Sequence, residues 1–472
     1  MEHRFARRRR LSRRDLLART AGLAAAATVP GWLVGCGGSG GGGVSVPSPH
    51  PPRTALVIGA GAAGLQCAHT LLAAGVDVQI LEATNRRHGR VRASSDVATV
   101  PVEMGAEVIH GNNSSLYDLA VANGAQFVTT SPVDRLYTGG TLPTMDSLYG
   151  DADFAAAKAF VDSVGAYAGP PVSIAQRILD TGQAPRTYRW LDGVLGNAYG
   201  TTNVRLDAQA LALADAAWTA GGGGYLLKSP TLSDLLDAEF ADVLDRIHYG
   251  IPIRHVDATG DQPVALTASY ATAAADVIVV TVPLSILKRG DLDFTPALPP
   301  SKQQAIATIG MDAGLKAVIR FNTRFWPADV GSIYGGTAAA QYRATGVGRG
   351  VPNDMLTAFV MGDDARALSS SGSPISWLLA DLDGIFGSGV ATGAYAYGEV
   401  VDWTLERWTL GAYSYASAGS DAMRSVLAEP FAGRVFFAGE ATNTGGHFGT
   451  LHGALETGLR AANEALAVDV GG

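Results

Sequence analysis

The sequence predicts an α/β fold built on a parallel β-sheet that is buried on both faces. Residues 56–82 read as a short apolar strand, a glycine-rich turn, a helix and a second strand that ends in an acid. Residues 275–283 form a near-continuous β-branched run that ends at Pro283, as in a strand covered on both sides. Residues 112–230 have a mostly helical pattern, so we expect a second domain of α+β character interleaved with the first.

Three glycines define the turn in the first of these units. Gly59 permits the tight turn, Gly61 lets the backbone approach a pyrophosphate, and Gly64 lets the helix pack close to the strand. The helix N-terminus offers free N–H groups and a positive dipole end to phosphates. Glu82 lies eighteen residues after Gly64, where a carboxylate can accept hydrogen bonds from an adenosine ribose. The pattern predicts a Rossmann-like dinucleotide-binding unit without distinguishing NAD from FAD. The expected cofactor contacts are Gly59, Gly61, Ala63, Gly64, Glu82 and Ala83.

Composition bounds the possible partners. The chain has 472 residues, enough for about two or three domains, and a net charge of −8. The first 36 residues contribute +6, so the remainder carries −14, which argues against a nucleic-acid partner and weakly favours a cationic ligand. The two cysteines, Cys36 and Cys67, cannot form a disulfide framework or a cysteine-rich metal site. We expect Cys67 to be a core residue, and we predict no metal site.

The N-terminus has the pattern of an export signal. Arg13 and Arg14 lie in a Ser-Arg-Arg-x-Leu-Leu context that resembles a twin-arginine signal, and an apolar stretch follows. The apolar residues 21–34 number only fourteen, which is short for a membrane-spanning helix of about 20 residues. Residues 33–36 resemble a bacterial lipobox, in which Cys36 would carry a lipid; the alternative is an ordinary signal cleaved nearby. We therefore expect a periplasmic or cell-surface protein, lipid-anchored if Cys36 is modified, with residues 37–52 as a Gly/Ser/Pro tether.

The residues after Glu82 resemble a segment of FAD-dependent amine oxidases. In that family the acid is followed by a run ending in Gly-Gly-Arg-Val, whose glycines and arginine lie beside the phosphates of the flavin dinucleotide. This chain keeps Gly89 and Arg90 but has His88 in place of the first glycine. The resemblance implies FAD as the cofactor, with Gly89 and Arg90 beside its phosphates; otherwise Arg90 would be a solvated surface residue.

Residues 102–111 resemble the next segment of the same family, and most closely that of polyamine oxidases. The resemblance implies that the backbone of Gly105 and Ala106 runs beside the flavin. It also implies that His110 faces the substrate tunnel, although a lone histidine is often structural.

Lys316 is the predicted catalytic residue. It lies inside the apolar, strand-like run 309–321, where a charged ammonium is costly unless it is paired or neutral. It stands nine residues before Phe325, which is the spacing of the amine-oxidase lysine that contacts flavin N5 through a water. The alternative is a surface lysine on an edge strand.

The C-terminal third carries the remaining site residues. Residues 403–415 resemble the family's W-(x7)-G-(S/A)-Y-S-Y segment, in which Tyr413 would be an aromatic wall of the substrate pocket. Ala412 stands where monoamine oxidases with covalent flavin have cysteine, so the FAD should be non-covalent. Thr450 stands where many amine oxidases have a second tyrosine, so the aromatic cage is incomplete. The resemblance implies three more cofactor contacts: Ile253, Glu440 and Leu451.

The motifs suggest a discontinuous domain organisation. We assign residues 53–115, 233–290 and 398–472 to the FAD-binding domain, and residues 116–232 and 291–397 to the substrate-binding domain. Residues 233–247 have helical spacing, with Ser233 as the expected N-cap.

The resemblance implies an FAD-dependent oxidase of a small primary amine or polyamine. Hydride transfer to flavin N5 would give an imine and then an aldehyde, with O2 as acceptor and H2O2 as product. Two alternatives remain open. An L-amino-acid oxidase, or another oxidase or desaturase of the superfamily, would differ in its substrate contacts, such as an arginine fork for a carboxylate. A lipid-anchored, non-catalytic FAD- or NAD-binding module would have no need for a buried Lys316.

Overall fold

The computed structural model describes residues 51–129, 132–269 and 271–470. The expected signal, its Cys36 and residues 37–50 of the expected tether lie outside the described residues. Within the described ranges, no helix combines the length and the apolar character that crossing a membrane requires.

A parallel five-stranded sheet forms the centre of the first domain, as the sequence predicts. The two short apolar runs of the sequence are neighbours in it, because Leu56 pairs with Ile278 and Val57 with Val279. In spatial order the strands are Ile247–His248, Asp77–Leu81, Thr54–Ile58, Val277–Val280 and Val435–Phe437.

Both faces of this sheet are covered, which explains why its strands are apolar without alternation. Val57 and Val279 face one core together with the helices Ala62–Ala73 and Leu451–Leu466. Leu56 and the residues that alternate with Val57 and Val279 along these strands face a second core. This core is closed by two further helices and a four-stranded sheet. The helices are Pro300–Thr308 and Ser420–Ala428, and the strands in spatial order are Thr272–Ala274, Val264–Thr267, Ile253–Asp257 and Asp293–Thr295.

A six-stranded mixed sheet forms the second domain. Leu315 and Ile319 point to one face, where they pack in a core with the helix Pro374–Phe386. The residues that alternate with these along the strand, Lys316 among them, point to the opposite face of the sheet. The strands in spatial order are Tyr395–Asp402, Gly314–Phe321, Met355–Met361, Gln341–Ala344, Val330–Tyr334 and Val133–Leu136.

Helices and short strand pairs complete the described chain. One group of helices encloses its own core around the fully buried Trp190. The further α-helices are Ser115–Ala122, Met145–Leu148, Ala152–Ser163, Ile174–Asp180, Tyr188–Asp192, Ala208–Ala217, Leu232–Glu239, Leu284–Arg289, Gly362–Ser370 and Val390–Ala394, with a π-helical turn at Gly193–Asn197. The two-stranded sheets pair Ala93–Ser94 with Val102–Glu103, Ile109–His110 with Gly224–Tyr225, Gln126–Phe127 with Leu227–Ser229, and Gly310–Met311 with Ser414–Tyr415.

Three of the expected domain boundaries need correction. The boundary at residue 398 falls inside the strand Tyr395–Asp402, which pairs along its length with the strand of Lys316. Helix Pro300–Thr308, assigned to the substrate domain, packs in the second core of the parallel sheet. Helix Ser115–Ala122 likewise belongs to the first core of that sheet. In each case packing decides where the segment belongs.

The helix expected at residues 233–247 begins earlier and ends sooner. Its N-cap is Thr231, whose hydroxyl accepts from the backbone of Asp234 while Asp234 accepts from Thr231 in a capping box. The α-helix is Leu232–Glu239, and a 3-10 helix, Ala241–Arg246, follows. Ser233 is therefore a helical residue and not the cap.

Close packing of helix Leu451–Leu466 on helix Ala62–Ala73 depends on glycine. A Cβ atom at Gly458 would lie 2.3 Å from the carbonyl oxygen of Ala63, in the turn itself. Cys67 lies in the same core, fully buried as expected.

We predict that Gly458→Ala destabilises the protein by about 1–3 kcal/mol, because backbone must move to admit the methyl group. Gly384→Ala is the control, since Gly384 is also helical and its Cβ would meet no atom within 4 Å. That variant should be neutral or more stable by up to about 1 kcal/mol. Calorimetric melting of the two variants checks this prediction, and equal melting temperatures would contradict it.

Candidate functional site

One elongated cavity of about 520 Å³ runs between the two domains. It begins at the glycine turn and reaches the inner face of the six-stranded sheet. All predicted site residues except Gly64 line it, at positions drawn from distant parts of the chain: Gly59, Gly61, Ala63, Glu82, Ala83, Gly89, Arg90, Gly105, Ala106, His110, Ile253, Lys316, Tyr413, Glu440, Thr450 and Leu451.

The glycine turn has the geometry that a phosphate cradle needs. Gly59 has a φ of +110°, and Gly61 has open space where a Cβ would be. Gly64 packs instead of lining the cavity, because its Cβ would lie 2.0 Å from the carbonyl oxygen of Gly59. Glu82 is buried, and its carboxylate accepts from the Ala60 amide at 2.9 Å and from the Thr84 amide at 2.9 Å.

His88 replaces a glycine without loss of the turn. It has a φ of +72°, in the left-handed region that favours glycine. Its amide donates to the carbonyl oxygen of Ala60 at 2.7 Å, and its Nε2 lies 2.9 Å from a carboxylate oxygen of Asp237. These contacts hold the left-handed conformation, and Gly89 follows with a φ of +57°.

Arg90, whose side chain is 25% exposed, forms an ion pair with the buried Glu440 at the wall of the cavity. Arg90 donates to Glu440 at 2.9 Å and to the carbonyl oxygen of Ala412 at 2.8 Å. Glu440 also accepts from the Ser414 hydroxyl at 2.6 Å and the Gly449 amide at 2.7 Å. Burial opposes ionisation of Glu440, but Arg90 and these donors keep its pKa below the usual value. Arg90 is thus a bridging residue and not a solvated one.

Lys316 lies on the second strand of the six-stranded sheet and is 3% exposed. Its Nζ donates to Glu107 at 2.8 Å and lies 3.3 Å from the carbonyl oxygen of Gly105. Glu107 also accepts from Arg349 at 2.8 Å, and Arg343 lies 3.5 Å away. Lys316 is therefore a buried, paired residue and not one that extends from an edge strand.

The charges of this cluster are coupled. Burial alone would raise the pKa of Glu107, but Lys316, Arg343 and Arg349 lower it to about 2. Burial lowers the pKa of Lys316, and Glu107 opposes part of that shift. Burial also raises the pKa of Glu103, a neighbouring acid, to about 7.

The inner face of the six-stranded sheet closes the end of the cavity that lies opposite the glycine turn, which we call the substrate end. Strand pairing places Phe359 beside Lys316 and Arg343 beside Thr357, and all four side chains line the cavity. Gln341 continues the same face two residues before Arg343.

Tyr413 is held rigidly against the cavity. Its ring packs where Cβ atoms of Gly200 and Gly449 would be, at 2.4 and 3.0 Å from ring carbons. Its hydroxyl donates to the carbonyl oxygen of Ala198 at 3.1 Å. An aromatic wall at this place needs both glycines.

Thr450 has a structural role at the cavity edge. It is the N-cap of helix Leu451–Leu466, and its hydroxyl oxygen accepts from the Gly453 amide at 3.0 Å. The helix therefore directs its N-terminus, beginning with Leu451, at the cavity. His110 lies across a short strand pair from Gly224, and burial lowers its pKa to about 4, so it is neutral at pH 7.

Three side chains in the first turns of this helix and in the loop before it have metal-ligand chemistry that the sequence did not reveal. His447, His452 and Glu456 offer ligand atoms within 4.8 Å of one another. The Thr219 amide donates to His447 Nε2 at 3.2 Å, which leaves the ring proton on Nδ1, where it is donated to Glu456 at 2.8 Å. This tautomer makes His447 and Glu456 a hydrogen-bonded dyad that fixes the loop before the helix.

Sequence reasoning missed Glu107, Arg343 and Arg349. Glu107 stands inside a motif that the sequence displays, and a buried lysine demands a counter-charge, so that signal was present. Nothing in the sequence places Arg343 or Arg349 near it, because strand pairing positions Arg343 and the turn after the same strand positions Arg349.

The described residues fit FAD. The glycine turn, with no side-chain cap on helix Ala62–Ala73, leaves free amides for the phosphates. Glu82 would hold the adenosine ribose, and the open space over Gly61 suits close approach of a pyrophosphate. Ala412 carries no nucleophile for a covalent bond.

Comparison with known proteins agrees with this geometry. A family model described as flavin containing amine oxidoreductase matches residues 62–194 and 184–466. Lysine-specific histone demethylase 1B of Mus musculus is 27% identical over 453 residues, covering 89% of this chain and 54% of the relative. Polyamine oxidase 4 of Oryza sativa subsp. japonica is 27% identical over 443 residues, with 88% of each chain covered. The chain thus spans about half the length of the demethylase.

Solved structures share the fold. Cyclohexylamine oxidase from Brevibacterium oxydans IH-35A has a TM-score of 0.69 at 18% identity, over 88% of this chain and 99% of that chain. Putrescine oxidase bound to putrescine has a TM-score of 0.71 at 19% identity, with the same coverage. Because the family model covers more than half of the sequence, the chain belongs to the family of flavin-containing amine oxidoreductases.

Proposed function

We propose that this protein is an FAD-dependent oxidase of a small primary amine or polyamine, with O2 as the electron acceptor. The observation that carries the proposal is that Lys316 and Tyr413 face the same cavity as the glycine turn. The products would be an imine, hydrolysed to an aldehyde, and H2O2. Three of the matched proteins are named as oxidases of amines, namely of polyamine, putrescine and cyclohexylamine.

The protein's own residues would position the substrate and exclude water. FAD, when bound, takes up two electrons from the C–H bond next to nitrogen and passes them to O2. The ring of Tyr413 orients the amine, and apolar helix residues such as Val164 and Leu195 remove it from solvent. Lys316 would donate a hydrogen bond, through water, towards the reacting end of the cofactor. The N-terminus of helix Leu451–Leu466 would stabilise negative charge there.

A second candidate is an L-amino-acid oxidase. Arg343 lines the substrate end of the cavity and is 23% exposed, so its guanidinium could offer donors to a carboxylate. A single substrate panel separates the two candidates.

We predict that anaerobic mixing with small amines or polyamines bleaches the absorbance of the bound flavin. The panel should pair each amine with the matching amino acid, for example putrescine with ornithine. Bleaching by amines supports the proposal, and bleaching by amino acids alone supports the second candidate. No bleaching by either class in FAD-loaded protein would contradict both.

Lys316→Met should keep FAD but lower turnover or flavin reoxidation by on the order of 100-fold, because a positioned donor is lost. Lys228→Met, at an exposed lysine outside the cavity, is the control and should behave like the wild type. Stopped-flow reduction and reoxidation measure each half-reaction separately. Wild-type rates in Lys316→Met would remove this residue from the mechanism.

We also propose that the protein is exported through its twin-arginine signal and anchored at Cys36. The support is the sequence pattern of residues 12–36. Arg13→Lys with Arg14→Lys should retain the protein in the cytoplasm of a bacterial host, as cell fractionation would show. Cys36→Ser should still be exported but lack the lipid mass. Export of the double arginine variant at the wild-type level would rule out the twin-arginine signal. Equal masses for Cys36→Ser and the wild type would rule out the lipid anchor.

A further inference from the structure

Lys316 has a buried acid as its direct partner, supplied by the segment that lines the cavity. Glu107 follows the Gly105-Ala106 pair, and its Oε2 accepts from Lys316 Nζ at 2.8 Å. The side chains of Lys316 and Glu107 are 3% and 7% exposed. The carbonyl oxygen of Gly105 lies 3.3 Å from the same nitrogen. One short segment therefore provides two acceptors for the ammonium.

The charges around Lys316 make Glu107 the group that decides whether Lys316 is protonated. Arg343 lies 3.5 Å from Oε2 of Glu107, the oxygen that Lys316 also contacts, and Arg349 lies 2.8 Å from Oε1. An arginine does not give up its proton in a protein. Burial and Arg343 both favour the neutral form of Lys316. Glu107 and, at longer range, Glu103 favour the charged form, but only Glu107 is in contact.

We propose that Glu107 is a positioning residue that fixes the place of Lys316 and keeps it protonated, so that Lys316 presents a cation to the flavin. An ammonium has three donors, and the contacts to Glu107 and Gly105 use two of them. One donor remains for a group in the cavity. This inference rests on the proposed function, since it assigns Lys316 to the reacting end of FAD.

Glu107→Gln removes the negative charge and nearly preserves the shape. With Arg343 and Arg349 left in place, Lys316 would lose its proton at a lower pH than in the wild type. A change of charge beside a flavin alters its absorption spectrum, so the spectrum of bound FAD reports this loss without any turnover.

The experiment records the spectrum of bound, oxidised FAD from acid to alkaline pH in four variants and the wild type. Glu107→Gln should show a transition from loss of the Lys316 proton at a lower pH than the wild type does. Glu107→Gln combined with Lys316→Met should lack it, because the titrating group is gone. Glu107→Asp keeps the charge and should match the wild type, as should Glu239→Gln, a control at an exposed glutamate.

Two results would overturn the inference: a Glu107→Gln spectrum that follows the wild type at all pH values, or a transition that persists in the double variant. If Glu107→Gln fails to retain FAD, Glu107→Asp decides. It should keep the wild-type pH dependence of the spectrum but react with O2 about tenfold more slowly, because the lysine is displaced. Wild-type reoxidation in Glu107→Asp would then reject the positioning role. If amines fail to bleach the wild type, the proposed function fails while this spectral test still stands.

Discussion

The buried ion pair between Lys316 and Glu107 is the constraint on which the arrangement of this site depends. A charged lysine inside a β-sheet is tolerated only where a carboxylate reaches it, and removing one partner of such a pair costs about 3–5 kcal/mol. Lys316 belongs to the six-stranded sheet, whereas Glu107 follows the segment that lines the cavity beside the glycine turn. Arg343 and Arg349 bring two further positive charges to the same carboxylate from a third part of the chain. The pair thus ties the substrate domain to the cofactor-binding segment where the chemistry is expected.

Buried carboxylates recur along the cavity, and each is satisfied by different donors. Glu82 accepts from backbone amides beside the glycine turn. Glu440 accepts from Arg90, a hydroxyl and amides in the middle of the cavity. Glu107 is surrounded by cations at the substrate end, including Lys316. The buried acids along the cavity thus have charge environments that run from amide-bound at Glu82 to cation-paired at Glu107. This difference fits the proposed cofactor binding at one end of the cavity and redox chemistry at the other.

The sequence predicted the parts of the fold that depend on local pattern, and missed those that depend on packing. The buried strands follow from apolar runs, and the turn follows from its glycines, since Gly59 has a φ of +110° and Gly64 packs against the carbonyl oxygen of Gly59. The left-handed conformation of His88 could not be predicted, because it requires Asp237 from a distant helix. The domain boundary at residue 398 was wrong because strand pairing, and not composition, decides it. Arg343 was missed for the same reason.

The measurement that tests the account most directly is a crystal structure of the purified protein with its own flavin. The account predicts an extended FAD with its adenosine at Glu82 and its pyrophosphate over Gly61. It predicts the flavin ring within one water molecule of Lys316, with the pair to Glu107 intact. A flavin ring far from Lys316, or a nicotinamide cofactor in the cavity, would contradict it.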